Sequence, residues 1–99
     1  MNINEAILIE KLPTLDLHGE TADVSRVLIN DFINDNIIMK NGFIIIIFGN
    51  GQGILRNAVY QELSKNKRVL EFKSHYNNRG SVVIHILIWQ YYKKEYNTL

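Results

Sequence analysis

The sequence predicts an α/β domain in which two helices cover one face of a four-stranded mixed sheet. Segments with strand or helix periodicity follow one another as strand, helix, strand, helix, strand, strand. Two of the strands, residues 43–48 and 82–89, are apolar at almost every position, which is typical of central strands. The length of 99 residues allows one domain with one core. These observations predict a βαβαββ two-layer sandwich with strand order 1-2-4-3.

The first strand is predicted over residues 14–18. Its alternation places Leu15 and Leu17 on one face and Asp16 and His18 on the other. If the leucines point under the helices, the two polar side chains face the side of the sheet that carries no helix.

The first helix is predicted to begin after Thr21, which can cap it, and to run to about Lys40. Asn41 and Gly42 follow and favour its termination. The predicted apolar stripe comprises Val24, Val27, Leu28, Phe32 and Met39.

The second half of the sequence predicts an apolar strand, a glycine-rich loop over residues 49–53, and a helix to about Lys65. The apolar residues at helical spacing are Ile54, Leu55, Ala58, Val59 and Leu63. Residues 68–76 alternate as a strand with Leu70 and Phe72 on one face, and residues 77–80 predict the hairpin turn before the last strand. The first two strands should be parallel and joined by a right-handed crossover.

We expect three segments along the chain: an N-terminal extension over residues 1–12, the domain over 13–89 and a tail over 90–99. With helices on one face only, Phe43, Ile45 and Ile47 cannot all be covered by them. The segments 7–9 and 89–92, or a second copy of the chain, are candidates for covering that face. We therefore expect a monomer or a weak homodimer.

Composition limits the classes of function. Basic and acidic residues number 11 and 10, so any contact with nucleic acid must come from a local patch. The absence of cysteine excludes disulfides and thiolate metal sites. The N-terminus lacks the pattern of a signal peptide, and the longest apolar run is far shorter than the ~20 residues that span a bilayer. We expect a cytoplasmic protein with no membrane partner.

The pair Asp16 and His18 is the sharpest chemical feature. A carboxylate beside an imidazole can accept a hydrogen bond from it and fix its tautomer. This is the minimum needed for proton transfer in phosphodiester cleavage. The alternative is two solvent-facing strand residues, since Asp-x-His is common by itself.

The second feature is the loop Gly49-x-Gly51-x-Gly53 between an apolar strand and a helix. Glycines allow the backbone to approach a ligand, and amides at a helix start face an anion. The spacing differs from the dinucleotide motif G-x-G-x-x-G, and a simple tight turn is the alternative. Arg56, about one turn into the helix, is a candidate for a second phosphate contact, and a solvated charge on the helix surface is the alternative.

Ligands of open α/β sheets bind at the C-terminal ends of parallel strands. If the first two strands are neighbours, Asp16, His18 and the glycine loop share that edge. Lys73, in the more basic C-terminal half, is a further candidate for contacting nucleic acid. His85 is predicted to face the same side as His18 and is a candidate for a second imidazole that contacts nucleic acid. The alternative is a polar residue on a half-buried sheet. The three histidines lack a close pair, so we expect neither a metal nor another cofactor.

Residues 15–19, Leu-Asp-Leu-His-Gly, followed by a long helix, an apolar strand, the G-x-G-x-G loop, a helix and a hairpin, resemble the small MutS-related (Smr) domain over roughly residues 12–88. The resemblance implies a βαβαββ fold similar to the C-terminal domain of bacterial translation initiation factor three. It also implies an endonuclease, a hydrolase that nicks DNA or cleaves RNA, in some members on mRNA at stalled or collided ribosomes. The catalytic Asp and His would be Asp16 and His18, and the family's loop would be Gly49, Gly51 and Gly53.

The loop departs from the family pattern H-G-K-G, because Phe48 and Asn50 replace a histidine and a basic residue. An imidazole and a cation are thereby lost from the site. Two further functions therefore stay open beside the endonuclease. One is a non-enzymatic RNA- or ribosome-binding module that uses the same surface, and the other is a protein-interaction domain that uses the open sheet face.

Overall fold

The computed structural model describes residue 3 and residues 12–51, 53–75 and 78–88. Within them the order of elements is strand, helix, strand, helix, strand, strand, as predicted. We number them β1 (Thr14–Asp16), α1 (Ala22–Ile38), β2 (Phe43–Ile47), α2 (Ile54–Lys65), β3 (Val69–His75) and β4 (Asn78–Ile86). No helix among these residues is long and apolar enough to cross a membrane.

The four strands form one sheet in the order β1-β2-β4-β3, which confirms the predicted topology. β1 runs parallel to β2, with Thr14 opposite Ile45. β4 is antiparallel to both β2 and β3. The two apolar strands are therefore central, because each of them has a hydrogen-bonded neighbour on both sides.

The main core lies between the helices and one face of the sheet. Leu17 is buried there and Leu15 packs against it, as the alternation in the first strand predicted. The other fully buried members from the strands and from α2 are Ile44, Ile46, Val59, Leu63, Val82, Ile84 and Ile86. This core fixes the C-terminal ends of β1 and β2 side by side.

The helix α1 begins as predicted, since the Thr21 side chain accepts a hydrogen bond from the Val24 amide. Its predicted apolar stripe was partly wrong, because Val24, Val27 and Met39 are exposed. The buried residues are instead Ser25, Ile29, Ile33, Asn36 and Ile37. Two polar residues lie in this face, so apolar periodicity alone favoured the wrong side, although Leu28 and Phe32 do pack against the core.

The hairpin β3–β4 differs from the prediction at two points. The register shifts between Val69 and Glu71, so Leu70 lies at an irregularity and is exposed, whereas Phe72 packs on the core. β4 already begins at Asn78, so the predicted turn over 77–80 was placed too late. A bulge changes which residues face the core without leaving a signal in the alternation.

A second, smaller apolar cluster covers part of the sheet face opposite α1 and α2. Ile3 and Val83 are buried in it, and Leu12, Phe43 and Ile45 pack against them. We call these five residues the apolar face. Among the described residues, the N-terminal extension thus contributes Ile3 and Leu12 to this cover. The predicted candidates in segments 7–9 and 89–92 lie outside the described residues.

Candidate functional site

A cleft of about 790 Å³ opens at the C-terminal ends of β1 and β2. It collects residues from the turn after β1, the glycine loop, the start of α2 and the end of β3. Its described lining consists of His18, Gly19, Phe48, Gly49, Asn50, Gly51, Gly53, Ile54, Leu55, Arg56 and Ser74. The sequence predicted that His18 and the glycine loop would share this edge, and the structure places them together, with Arg56 beside them.

His18 lies in the turn just beyond β1, because the strand ends at Asp16 and not at His18 as predicted. Asp16 Oδ1 accepts a hydrogen bond of 2.9 Å from the His18 backbone amide. The Glu20 amide closes the same turn by donating to the Leu17 carbonyl at 2.9 Å. The carboxylate therefore orients the backbone of His18, and not its imidazole as we expected, while both side chains remain exposed.

Gly49 brings the loop close to the imidazole. A Cβ placed on Gly49 would lie 3.4 Å from His18 Cδ2, so the ring is adjacent to this backbone. Gly49 also has φ +86°, a conformation that side chains rarely adopt. A glycine here therefore satisfies two conditions at once, a turn with positive φ and close contact with His18.

The start of α2 lines the cleft with backbone amides that the helix itself does not pair. Its N-cap, Gly53, makes no side-chain capping bond, and the first turn contains no acidic residue. The first backbone amide that the helix itself satisfies is that of Asn57, which donates to the Gly53 carbonyl. Because the preceding amides have no acceptor within the helix and the helix dipole favours negative charge, this end suits an anion.

Gly80 was missed as part of the site, because we assigned it to the hairpin turn. It lies in β4, and its carbonyl accepts hydrogen bonds from the amides of Phe48 at 2.7 Å and of Gly49 at 3.0 Å. A Cβ on Gly80 would come within 2.9 Å of the Gly49 carbonyl carbon. Gly80 thus holds the loop against β4, and no local pattern in the sequence could have indicated this contact.

The two positions at which the loop departs from the family pattern differ in their surroundings. Phe48 is buried at 5% exposure and packs in the main core, so its ring replaces a polar group with a core contact. Asn50 is exposed in the cleft. The described lining therefore contains a single imidazole, that of His18, and a single cation, Arg56.

The structure places Lys73 and His85 away from the cleft. Both belong to the sheet face opposite α1 and α2, since Lys73 lies opposite Val83 in the register and His85 lies opposite Phe43. The His85 ring stacks on Phe43 with centroids 4.3 Å apart, and its Nδ1 lies 3.9 Å from Glu71 Oε2. Phe43 begins β2 and Phe48 follows its last residue, roughly 16 Å away by strand rise, so His85 does not join His18.

No group of three His, Asp or Glu side chains among the described residues could hold a metal ion. The cleft instead offers backbone amides, one guanidinium and one imidazole. This set can bind an anion and move a proton.

Comparison with solved structures supports the architecture. The fold resembles the Smr domain of Thermus thermophilus MutS2, with a TM-score of 0.73 and 22% identity, over 76% of this chain and 98% of that one. It also resembles YdaL, a stand-alone small MutS-related protein of Escherichia coli, with a TM-score of 0.69 and 19% identity, over 78% of this chain and 66% of that one.

Sequence comparison identifies relatives among larger proteins. Endonuclease MutS2 of Ligilactobacillus salivarius is 34% identical over 68 residues, which are 69% of this chain and 9% of that protein. Endonuclease MutS2 of Aquifex aeolicus is 29% identical over 84 residues, 85% of this chain and 11% of that protein. The chain thus spans about a tenth of the length of these relatives. The Smr domain profile matches residues 15–87, well over half of the chain, and the protein is therefore a member of the Smr domain family.

Proposed function

We propose that this domain binds the sugar-phosphate backbone of RNA or DNA in the cleft and cleaves a phosphodiester there. The observation that carries the proposal is the position of the His18 ring against Gly49, in a cleft that also holds the start of α2 and Arg56. A proton-transfer group thus lies next to a site suited to an anion. The name of the relatives, endonuclease MutS2, agrees with this chemistry.

Each cleft residue has a separate role in the proposed reaction. The amides at the start of α2 hold the phosphate, and Arg56 offsets its charge. His18 takes a proton from the attacking oxygen, water or a ribose hydroxyl, as that oxygen bonds to phosphorus. The ester bond to the leaving oxygen breaks, and the leaving oxygen takes a proton from solvent water. Asp16 keeps the His18 backbone in place through its 2.9 Å hydrogen bond.

In the part of the cleft that the structure describes, backbone amides and one guanidinium would make most of the contacts with the ligand. Such groups bind phosphate and carry no information on base sequence. We therefore expect weak sequence preference, and we favour RNA slightly over DNA, including mRNA on ribosomes. We place this activity in the cytoplasm.

A second function, binding without cleavage, is favoured by Phe48. Cleavage requires a group that accepts a proton and a group that returns one to the leaving oxygen. The buried Phe48 ring occupies the position at which the family pattern has a second imidazole. The cleft of this chain would then hold nucleic acid, or RNA on a ribosome, without cleaving it.

Incubation of the purified protein with labelled single-stranded RNA, supercoiled DNA and ribosomes separates these functions. Replacement of His18 by Ala should lower the cleavage rate by roughly 10²–10⁴-fold, the usual contribution of a general acid or base. His85→Ala is the matched control and should cleave as wild type does. Equal cleavage by His18→Ala and wild type would overturn the assignment, and binding without cleavage by wild type would favour the second function.

The effect of Asp16→Asn distinguishes two roles for the carboxylate. Asparagine retains an oxygen that can accept the His18 amide, whereas it lacks the negative charge. If Asp16 acts only through the turn, Asp16→Asn should cleave nearly as well as wild type and Asp16→Ala should not. Equal losses in both variants would show that the charge itself acts on the imidazole.

A further inference from the structure

Tyr60 is held behind the cleft by contacts with β3 and with the end of β2. Its ring meets Phe48 edge to face, with centroids 6.1 Å apart, and Phe72 at 5.4 Å. Its hydroxyl shares a hydrogen bond of 2.9 Å with Ser74 Oγ. The orientation of this ring is therefore fixed from β3 and from the end of β2.

Arg56 lies on this ring. Its Cζ is 4.8 Å from the centroid of Tyr60, four residues further along α2, which is the distance of a cation–π contact. Both Arg56 and Ser74 line the cleft. The ring thus supports the single cation of the described lining from behind.

We propose that Tyr60 is a positioning residue that holds the Arg56 guanidinium ready to bind a phosphate of the nucleic acid. This inference rests on the proposed function and adds a residue that acts through another one. A free arginine side chain loses rotamer freedom when it binds a ligand, so a guanidinium that is already stacked binds with a smaller entropy loss.

The kind of support matters as much as its rigidity. Arg26 on α1 is held by carboxylates, at 3.2 Å from Asp23 and 3.8 Å from Glu62. Arg56 makes no ion pair with any described residue, and an aromatic ring supports it instead. An uncharged support leaves the positive charge and the N–H groups available for a phosphate.

Fluorescence anisotropy with labelled oligouridine and oligothymidine of equal length tests the proposal. Arg56→Ala and Tyr60→Leu should each weaken binding by roughly three- to tenfold. Because Tyr60 acts through Arg56, the double variant should bind no more weakly than Arg56→Ala alone. Tyr60→Phe retains the ring and should bind within about twofold of wild type. Arg26→Ala, which removes a cation outside the cleft, is the control and should bind as wild type does.

A readout on the free protein separates positioning from stability. Stacking should shift the NMR signals of the Arg56 side-chain protons upfield in wild type and in Tyr60→Phe, and this shift should vanish in Tyr60→Leu. If Tyr60→Leu does not fold, Arg56→Lys replaces it, since it leaves the core untouched and keeps the charge but loses the planar stack. It should bind less tightly than wild type.

The outcomes distinguish this inference from the proposed function. If wild type binds nucleic acid and Tyr60→Leu binds it equally tightly, the positioning role is overturned and the proposed function remains. The same holds for Arg56→Lys where that variant replaces Tyr60→Leu. Additive losses in the double variant also overturn it. If wild type binds neither oligonucleotide, the proposed function fails. The NMR shift then decides the positioning alone, because its presence supports the stacked guanidinium and its absence overturns it.

Discussion

The two ends of β2 differ in what their residues contact. At the C-terminal end, the chain continues into the glycine loop, and an exposed His18 lies beside the Gly49 backbone in an open cleft. At the N-terminal end, Phe43 stacks on His85 and packs with the other residues of the apolar face. Both ends have an imidazole, but one ring meets a cleft and the other meets protein.

This difference indicates a division between function and stability along a single strand. Exposed side chains that line a cleft are available to a ligand. A stacked and half-buried ring, such as that of His85, instead contributes to the stability of the fold. Substitutions at the cleft end should then alter binding more than stability, and substitutions at the packed end should do the reverse. The predictions below test this rule, and the first is an exception to it.

Gly80→Ala should have the largest effect on stability, although it lies at the cleft end. The added Cβ would be 2.9 Å from the carbonyl carbon and 3.0 Å from the Cα of Gly49, and backbone cannot move aside as a flexible side chain can. We expect a loss of about 3 kcal/mol, near the upper end for overpacking. Thermal unfolding measures it, since 1 kcal/mol lowers the Tm of a domain of this size by about 4–8 °C.

The control for Gly80→Ala is Gly42→Ala, at the other end of β2. A Cβ on Gly42 would meet only the Ile88 side chain, at an ordinary contact distance of 3.9 Å. Its Tm should change by a few degrees at most. An unchanged Tm for Gly80→Ala would mean that the glycine loop is not held against β4.

Ile3→Ala should have the next largest effect, at the packed end. Ile3 is 5% exposed and packs with Val83, which is fully buried on the apolar face. Its truncation should cost about 2 kcal/mol, the lower end for a buried isoleucine, because this cluster is small. Ile38→Ala is the matched control, since Ile38 is 76% exposed. Equal effects of the two changes on the urea midpoint of unfolding would contradict the burial of Ile3 on the apolar face.

The fold was predictable because the apolar strands and the order of elements restrict the topology strongly. The sheet order and the Leu15 and Leu17 faces followed from these patterns and are confirmed. The buried face of α1 was not predictable in the same way. Asn36 is buried there because its amide donates to the Phe32 carbonyl and its Oδ1 accepts from Asn41, and periodicity counts such a residue as polar.

The site was predictable only where chain order places residues together. His18 and Gly49 follow neighbouring parallel strands, so the topology brings them to one edge. The prediction for His85 used the correct sheet face but ignored its position along the strand, which puts it opposite Phe43. The contacts of Gly80 with the glycine loop, and those of Tyr60 with Phe48 and Phe72, join residues distant in sequence, so no local pattern could indicate them.

Gly51→Val should have the smallest effect on stability and the clearest effect on binding. Nothing lies within 4 Å of a Cβ on Gly51, and its φ is outside the positive range that Gly49 and Gly53 adopt. The free energy of unfolding should therefore change by no more than about 0.5 kcal/mol, as at ordinary surface positions.

Within the cleft, the branched side chain of Gly51→Val would occupy space that a phosphate needs. Binding should weaken roughly tenfold, as for one lost hydrogen bond to a charged group, and equally for every oligonucleotide sequence. Arg56→Ala should reduce the slope of log affinity against log salt by about one unit, whereas Gly51→Val should leave that slope unchanged. A folded Gly51→Val protein that binds as tightly as wild type would show that the loop is a turn and not a phosphate site.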